Sequence, residues 1–149
     1  MSKILCIDFG TKRIGLSIPI RSIAFGLETV DYNHLIATID KYIKNKYIDT
    51  IVIGHPLPLP LPLPLPLQSP IENPIENPIE KDIIKFINFL KKKYPKLIIK
   101  RIDERFSSKI ANYFLINSFF NKKKRKKKKI LDQISAILLL QDFINNSYS

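Results

Sequence analysis

Ile4-Leu5-Cys6-Ile7-Asp8-Phe9-Gly10-Thr11-Lys12-Arg13-Ile14-Gly15 begins with four apolar residues in a row, the pattern of a strand buried on both faces, and delivers one carboxylate, Asp8, to the strand end. Gly10 and Gly15 bracket the turn that follows and account for two of the four glycines in the chain. Without a side chain, the backbone there can approach a metal or a phosphate closely. A D-x-G turn alone is a weak signal, and an Asx-type turn leading into a hairpin explains it equally well. The surrounding sequence has to separate the two.

Moving outward, Arg13 to Pro19 alternates Ile14, Leu16 and Ile18 with Arg13, Gly15 and Ser17, and Phe25 to Val30 follows as a third strand. Together the three predict an antiparallel meander. Asn33 is placed to cap a helix to about Lys46, with Leu35, Ile36, Ile39, Tyr42 and Ile43 at helical spacing. Thr50-Ile51-Val52-Ile53-Gly54 is a buried-type strand, and the helix before it implies parallel pairing through a right-handed crossover. Ile79, Ile83, Ile84, Phe86, Ile87 and Leu90 mark a second helix that Pro95 stops. Leu97 to Ile102 is a fifth strand ending on Asp103-Glu104-Arg105, after which Ser107 or Ser108 caps a helix to about Asn117. A last helix runs from about Ile130 to Asn145, with Asp132 in its first turn and an apolar face of Ile134, Ile137, Leu138, Leu140, Phe143 and Ile144. The expected fold is one α/β domain over 1–149: a mixed five-stranded sheet, three antiparallel strands then two parallel, flanked by helices.

Two segments interrupt this order. Residues 56–80 are low complexity: Pro-Leu alternates from Pro56 to Leu67, and Pro-Ile-Glu-Asn at 70–73 and 74–77 precedes a broken third copy from Pro78. Proline at every second position excludes helix and interior strand, so a polyproline-type excursion without chemistry is expected, a tolerated product of repeat slippage. Residues 122–129 are Lys-Lys-Lys-Arg-Lys-Lys-Lys-Lys and carry eight of the twelve net positive charges. So dense a run reads as a mobile loop that binds backbone phosphate without reading sequence.

The bulk composition narrows the function classes. A chain of 149 residues that is 45% hydrophobic can bury a real core. Its one cysteine, Cys6, lies inside the first strand, so a buried thiol in a reducing compartment is expected rather than a disulfide or a metal site. No signal pattern and no apolar run of membrane-spanning length is present, which points to the cytoplasm and away from a membrane. A net charge of +12 points to a polyanionic partner, although abundant Ile, Lys and Asn also fit A/T-rich codon usage.

Three acidic positions stand out: Asp8 after the first strand, Glu104 with Asp103 after the fifth, and Asp132 on the last helix. In a largely parallel sheet, sites gather at the carboxyl ends of neighbouring strands. Carboxylates brought together there repel unless a cation neutralises them, and hard oxygen donors select Mg²⁺ or Mn²⁺. Such ions hydrolyse phosphodiesters by activating water and stabilising the leaving oxygen. Each acid also has a plainer reading: Asp132 as a first-turn acid favoured by the helix dipole, Asp103-Glu104 as a solvated strand end.

Four segments, in order, resemble the YqgF/RuvX family: Asp8 to Gly15; Ile53-Gly54-His55-Pro56-Leu57; Asp103-Glu104-Arg105-Phe106-Ser107-Ser108; and Lys127 to Asp142, with Ile130-Leu131-Asp132-Gln133-Ile134-Ser135-Ala136 and Leu140-Gln141-Asp142-Phe143. The resemblance implies an RNase H-like fold, a bacterial cytoplasmic setting and Mg²⁺- or Mn²⁺-dependent phosphodiester hydrolysis. It also implies processing of the 5′ end of pre-16S rRNA, free or in ribosomal precursor particles. The matching acids are Asp8, Glu104 and Asp132, with Asp103 as an alternative ligand. Lys12, Arg13 and Arg105 lie within reach, in sequence, of these acids, where an arginine either clamps a phosphate or holds a carboxylate. Lys122, Lys123, Lys124, Arg125, Lys126, Lys127, Lys128 and Lys129 fall where family members are often basic. The repeats displace a polar loop usual in the family, and His55 stands where an apolar residue is common, either structural or able to shuttle a proton. A DNA junction resolvase would use the same carboxylates, and an rRNA-binding assembly factor of weak activity would keep the same basic surface. Monomer and homodimer are both open. A sugar-kinase or actin-like ATPase is set aside, because the chain has no room for a second phosphate loop and domain.

Overall fold

A computed structural model describes residues 3–10, 12–55, 78–103 and 124–147, with the backbone alone at 103, 124–133 and 147. The apolar opening stretch forms β1 (Ile4–Phe9) and lies at the centre of a five-stranded sheet. β2 (Arg13–Ile20) pairs antiparallel with β1, and β3 (Ile23–Asp31) pairs antiparallel with β2 at one edge. On the other side, β4 (Thr50–His55) runs parallel to β1, and β5 (Ile98–Asp103) parallel to β4. The order β3-β2-β1-β4-β5 is the mixed sheet expected, three antiparallel strands and two parallel ones.

Alternation along the central strands supplies two cores. Leu5, Ile7, Phe9, Ile14, Leu16, Ile51 and Ile53 face one way, towards the buried Leu35 and Ile39 of α1 (Leu35–Lys46) and the buried Ile83, Phe86, Ile87 and Leu90 of α2 (Ile79–Lys93). Cys6, Val52 and Ala24 face the other way, towards Leu139, Leu140 and Ile144 of α3 (Lys124–Ser147). Burying a side chain of this size stabilises by about 1.5–3 kcal/mol, so the central strands anchor both layers. Cys6 is the buried thiol expected, outside any disulfide.

Several local expectations are corrected. Asn33 does not cap α1: Asp31 caps a 3₁₀ turn over Tyr32–His34, its side chain accepting from the His34 N–H, and α1 starts after it. Ile84 is exposed, since the buried stripe of α2 passes through Ile83, Phe86, Ile87 and Leu90. The glycines need no left-handed backbone. None has positive φ, and among the described residues the left-handed conformations fall instead on Arg21, Ser22 and Tyr47.

The basic run is no loop from Lys124 onward, because α3 begins there, about six residues earlier than the apolar pattern predicts. Lysine and arginine are good helix formers, and a helix already anchored at its other end extends at the cost of one residue's ordering per added hydrogen bond. The buried stripe of α3 is Ala136, Leu139, Leu140 and Ile144, so the phase is shifted from that predicted through Leu138. The third repeat copy is also part of the fold, since Pro78 precedes α2 and Ile79 and Glu80 open it. The polyproline excursion over 56–77, the helix capped by Ser107 or Ser108, and Glu104, Arg105, Lys122 and Lys123 lie outside the described residues. Among the described residues no helix is long and apolar enough to cross a membrane.

Candidate functional site

Asp8 is 5% exposed, a carboxylate brought to the carboxyl end of the central strand by the apolar run before it. It lies opposite Gly15 of β2, and the parallel register on its other side sets Ile7 beside Ile53. Continued by one residue, that register brings Asp8 level with Gly54, the neighbour of Ile102 in β5. The carboxyl ends of β1, β4 and β5 therefore share one edge of the sheet. Strand parity places Asp8 with Cys6, on the α3 face.

The turn after Asp8 is tied down from two sides. The Gly10 N–H donates to the Arg13 carbonyl at 2.9 Å, closing the β1–β2 connection. The Tyr32 hydroxyl donates to the Gly10 carbonyl at 2.6 Å while its ring packs near Phe9, with centroids 6.2 Å apart. Burial pushes the Tyr32 phenol above its ordinary value, and the charges of Asp82 and Asp8 push it further, so it stays a donor at neutral pH. Tyr32 was not among the predicted site residues, and nothing in its sequence surroundings marks it.

The backbone of α3 carries Asp132 to the same edge. Ser17, the register partner of Cys6, donates its hydroxyl to the Ala136 carbonyl at 2.8 Å. Ala24, level with Pro19, donates its N–H to Gln141. From Ser17 to Pro19 along β2, then, α3 advances from Ala136 to Gln141, so the helix runs with β2 and against β1. One turn back from Ala136 lies Asp132, on the same helical stripe and about 6 Å towards the Gly15 and Asp8 end. Asp103 holds the register position beside His55, with the strand parity of Arg101 rather than that of Asp8.

A buried ion pair under the same edge was not anticipated. Glu80 is 1% exposed, and the Arg101 guanidinium grips it through Nη1 to Oε1 at 2.8 Å and Nη2 to Oε2 at 3.0 Å. Arg101 also donates to the carbonyls of Ile53 and Gly54 at 3.3 and 3.1 Å, which fixes the last turn of the β4 backbone beside Asp8. His55, half-exposed at the end of β4, sets its Nδ1 3.2 Å from Glu80 Oε2, so one ring nitrogen is engaged by the cluster. A charged residue inside an apolar strand was the available signal for Arg101. Glu80 was hidden in the repeat.

Lys12 is exposed in the turn after Asp8, and Arg13 opens β2 opposite Asp31. Lys124, Arg125, Lys126, Lys127, Lys128 and Lys129 form the first turns of the α3 backbone. A cavity of about 440 Å³ lined by Ile43, Ile48, Asp49, Lys93, Tyr94, Pro95, Lys96 and Leu97 lies at the amino ends of β4 and β5, the pole opposite Asp8. Among the described residues no three His, Cys, Asp or Glu side chains come together. The donor at hand, a buried carboxylate at a shared strand edge, is the hard oxygen type that fits Mg²⁺ or Mn²⁺.

A family model described as RuvX, Holliday junction resolvase, matches residues 2–146. A protein of Karelsulcia muelleri (strain GWSS) named "Putative pre-16S rRNA nuclease" is 56% identical over 151 aligned positions, covering 97% of this chain and 99% of its own. A protein of the same name from Flavobacterium psychrophilum is 36% identical, covering 97% of both chains. Among solved structures, T. thermophilus RuvC in complex with a Holliday junction substrate superimposes with a TM-score of 0.53 at 11% identity, covering 99% of this chain and 96% of that one. That likeness is one of fold.

Proposed function

The chain belongs to the RuvX family, and from that premise we infer that it is a metal-dependent endonuclease that hydrolyses phosphodiester bonds in precursor 16S rRNA during 5′-end maturation. The observation that carries this reading is the convergence at one sheet edge: Asp8 buried at the end of β1, and the α3 backbone bringing Asp132 to its level. Glu104, one residue beyond β5, completes the proposed catalytic set, with Asp103 as the alternative ligand. We place the whole chain in one nuclease domain, in the bacterial cytoplasm.

Asp8, Glu104 and Asp132 would hold Mg²⁺ or Mn²⁺, whose chemistry when bound is activation of a water and neutralisation of charge on the leaving oxygen. The remaining work falls to the protein. Tyr32 and the Gly10–Arg13 hydrogen bond hold the turn that follows Asp8, and Arg101 holds the end of β4. Lys12, Arg13, Arg105 and the basic run from Lys122 to Lys129 contact substrate phosphates. Their contribution is independent of sequence and falls steeply with salt.

The test is cleavage of a labelled precursor 5′ segment with Mg²⁺ or Mn²⁺, alongside Asp8→Asn and a four-way DNA junction. RNA cleavage lost with chelator and reduced at least about 100-fold in Asp8→Asn supports the reading. The family description and the RuvC-like fold favour junction resolution as the second reading, and cleavage of the junction alone would establish it. Binding of RNA by the folded protein with neither substrate cut would leave an assembly factor.

A further inference from the structure

We propose that Ser17 and Gln141 are positioning residues for the acidic site, fixing the axial register of α3 so that Asp132 stands level with Asp8. The inference rests on the reading of Asp8 and Asp132 as ligands of one divalent cation. It concerns what holds them in register.

The apolar contact between α3 and the sheet is not directional. Leu139, Leu140 and Ile144 against Cys6, Val52 and Ala24 would lose little area if the helix slid along the face. A slide of about 1.5 Å along the axis, with the apolar stripe still on the sheet, is enough to carry Asp132 out of level with Asp8. Metal coordination tolerates about 0.2 Å. The register therefore needs directional contacts, and the structure supplies two, at separate points along the helix.

The first is Ser17, fully buried, whose hydroxyl donates to the Ala136 carbonyl at 2.8 Å. Any slide would strand that hydroxyl in an apolar layer without a partner. The second is Gln141, which accepts from the Ala24 N–H at 2.9 Å and donates to the Ser22 carbonyl at 3.2 Å, clamping the β2–β3 hairpin. Its amide also donates to Asn145 Oδ1 at 3.1 Å, which fixes its rotamer. Between the two, a Cβ at Gly26 would stand 3.2 Å from Ile137 Cδ1, so helix and strand are already in close approach.

The lengths agree with the role. From Ser17 to Gly15, the partner of Asp8, is two strand residues, or about 6.6 Å. From Ala136 to Asp132 is four helix residues, or about 6 Å. Pinning Ala136 to Ser17 thus aligns Asp132 with Asp8 to within about 1 Å of axial position.

The experiment is Mn²⁺ binding to the full chain by electron paramagnetic resonance, for wild type, Ser17→Ala, Gln141→Met, Asp8→Asn, Asp132→Asn and Ile39→Val, each shown folded by circular dichroism. Ile39→Val loosens the opposite core and controls for general destabilisation. Expected is a Kd for Mn²⁺ raised about tenfold in Ser17→Ala and in Gln141→Met, with Ile39→Val at the wild-type value. Wild-type affinity in Ser17→Ala and Gln141→Met, with affinity lost in Asp8→Asn and Asp132→Asn, overturns the positioning role and leaves the acidic site standing. An equal loss in Ile39→Val overturns it as well. Wild-type affinity in Asp8→Asn and Asp132→Asn overturns the acidic-site reading itself.

Discussion

At the scale of single residues, the heaviest electrostatic commitment is Glu80, an almost fully buried carboxylate met by a guanidinium that keeps 26% of its surface in water. Removing one partner of such a pair leaves the other charged and desolvated. Glu80→Ala should cost about 3 kcal/mol in urea unfolding, the low end for a broken buried pair, because Arg101 retains two carbonyl acceptors. Replacing both partners, Glu80→Leu with Arg101→Met, should recover most of that loss. Asp40 and Tyr94 tie α1 to the end of α2 through a hydrogen bond, with Lys93 2.6 Å from the same carboxylate. Burial pushes Asp40 up, but the hydrogen bonds from Lys93 and Tyr94 outweigh it and hold the carboxyl below its ordinary 3.8. Burial and the Asp40 contact push Tyr94 up to about 12. The lowered acid stabilises the fold above 3.8, and that share is lost as pH falls from there through the folded value. The raised phenol stabilises it below 10.0, and that share is lost as pH rises towards about 12. Asp40→Asn should therefore flatten the acid limb of the stability profile and Tyr94→Phe the alkaline limb, both read by denaturant midpoints against pH.

At the scale of elements, the β2–β3 hairpin turns through Arg21 and Ser22, both left-handed at φ 52° and 67°, the geometry of a type I′ turn. Residues with side chains are strained there, so Ser22→Gly should stabilise by about 1 kcal/mol, seen as a raised melting temperature. Gln141 binds the backbone carbonyl at 22, which glycine retains. The hairpin itself was legible from alternation in Arg13 to Pro19, since period two is a property of the strand alone. The start of α3 was not. A run of lysines reads as solvated chain when its charge is weighed by itself, whereas the helix over it is propagated from Ala136, Leu139 and Leu140 further on. For the same reason Ser17 and Gln141 passed as ordinary polar residues. Their role exists only once β2 and the last helix are stacked.

At the scale of the whole molecule, the mixed pairing of the five strands and the strand end that holds Asp8 could be read in advance because they follow from which strands are apolar throughout and which connections are long enough to cross over. The Glu80–Arg101 pair could not, because its partners are 21 residues apart and one of them is spelled by a tandem repeat. That spelling can be tested directly. Deleting 74–77 removes one Pro-Ile-Glu-Asn copy from a 22-residue connection and changes the closure term by about 0.2 kcal/mol. The melting temperature should then move by less than about 1 °C. The start of α2 is written in the same letters as the copies before it, Pro70-Ile71-Glu72 and Pro74-Ile75-Glu76. Loss of 78–81 would hand the place of Glu80 to Glu76, and gain of a copy upstream would leave Glu80 where it is. A replication slip by whole copies thus erases its own trace at the helix and leaves Arg101 with a glutamate to grip. The locus can stretch and shrink as a ratchet of interchangeable teeth, with inheritance of the fold indifferent to which tooth is engaged.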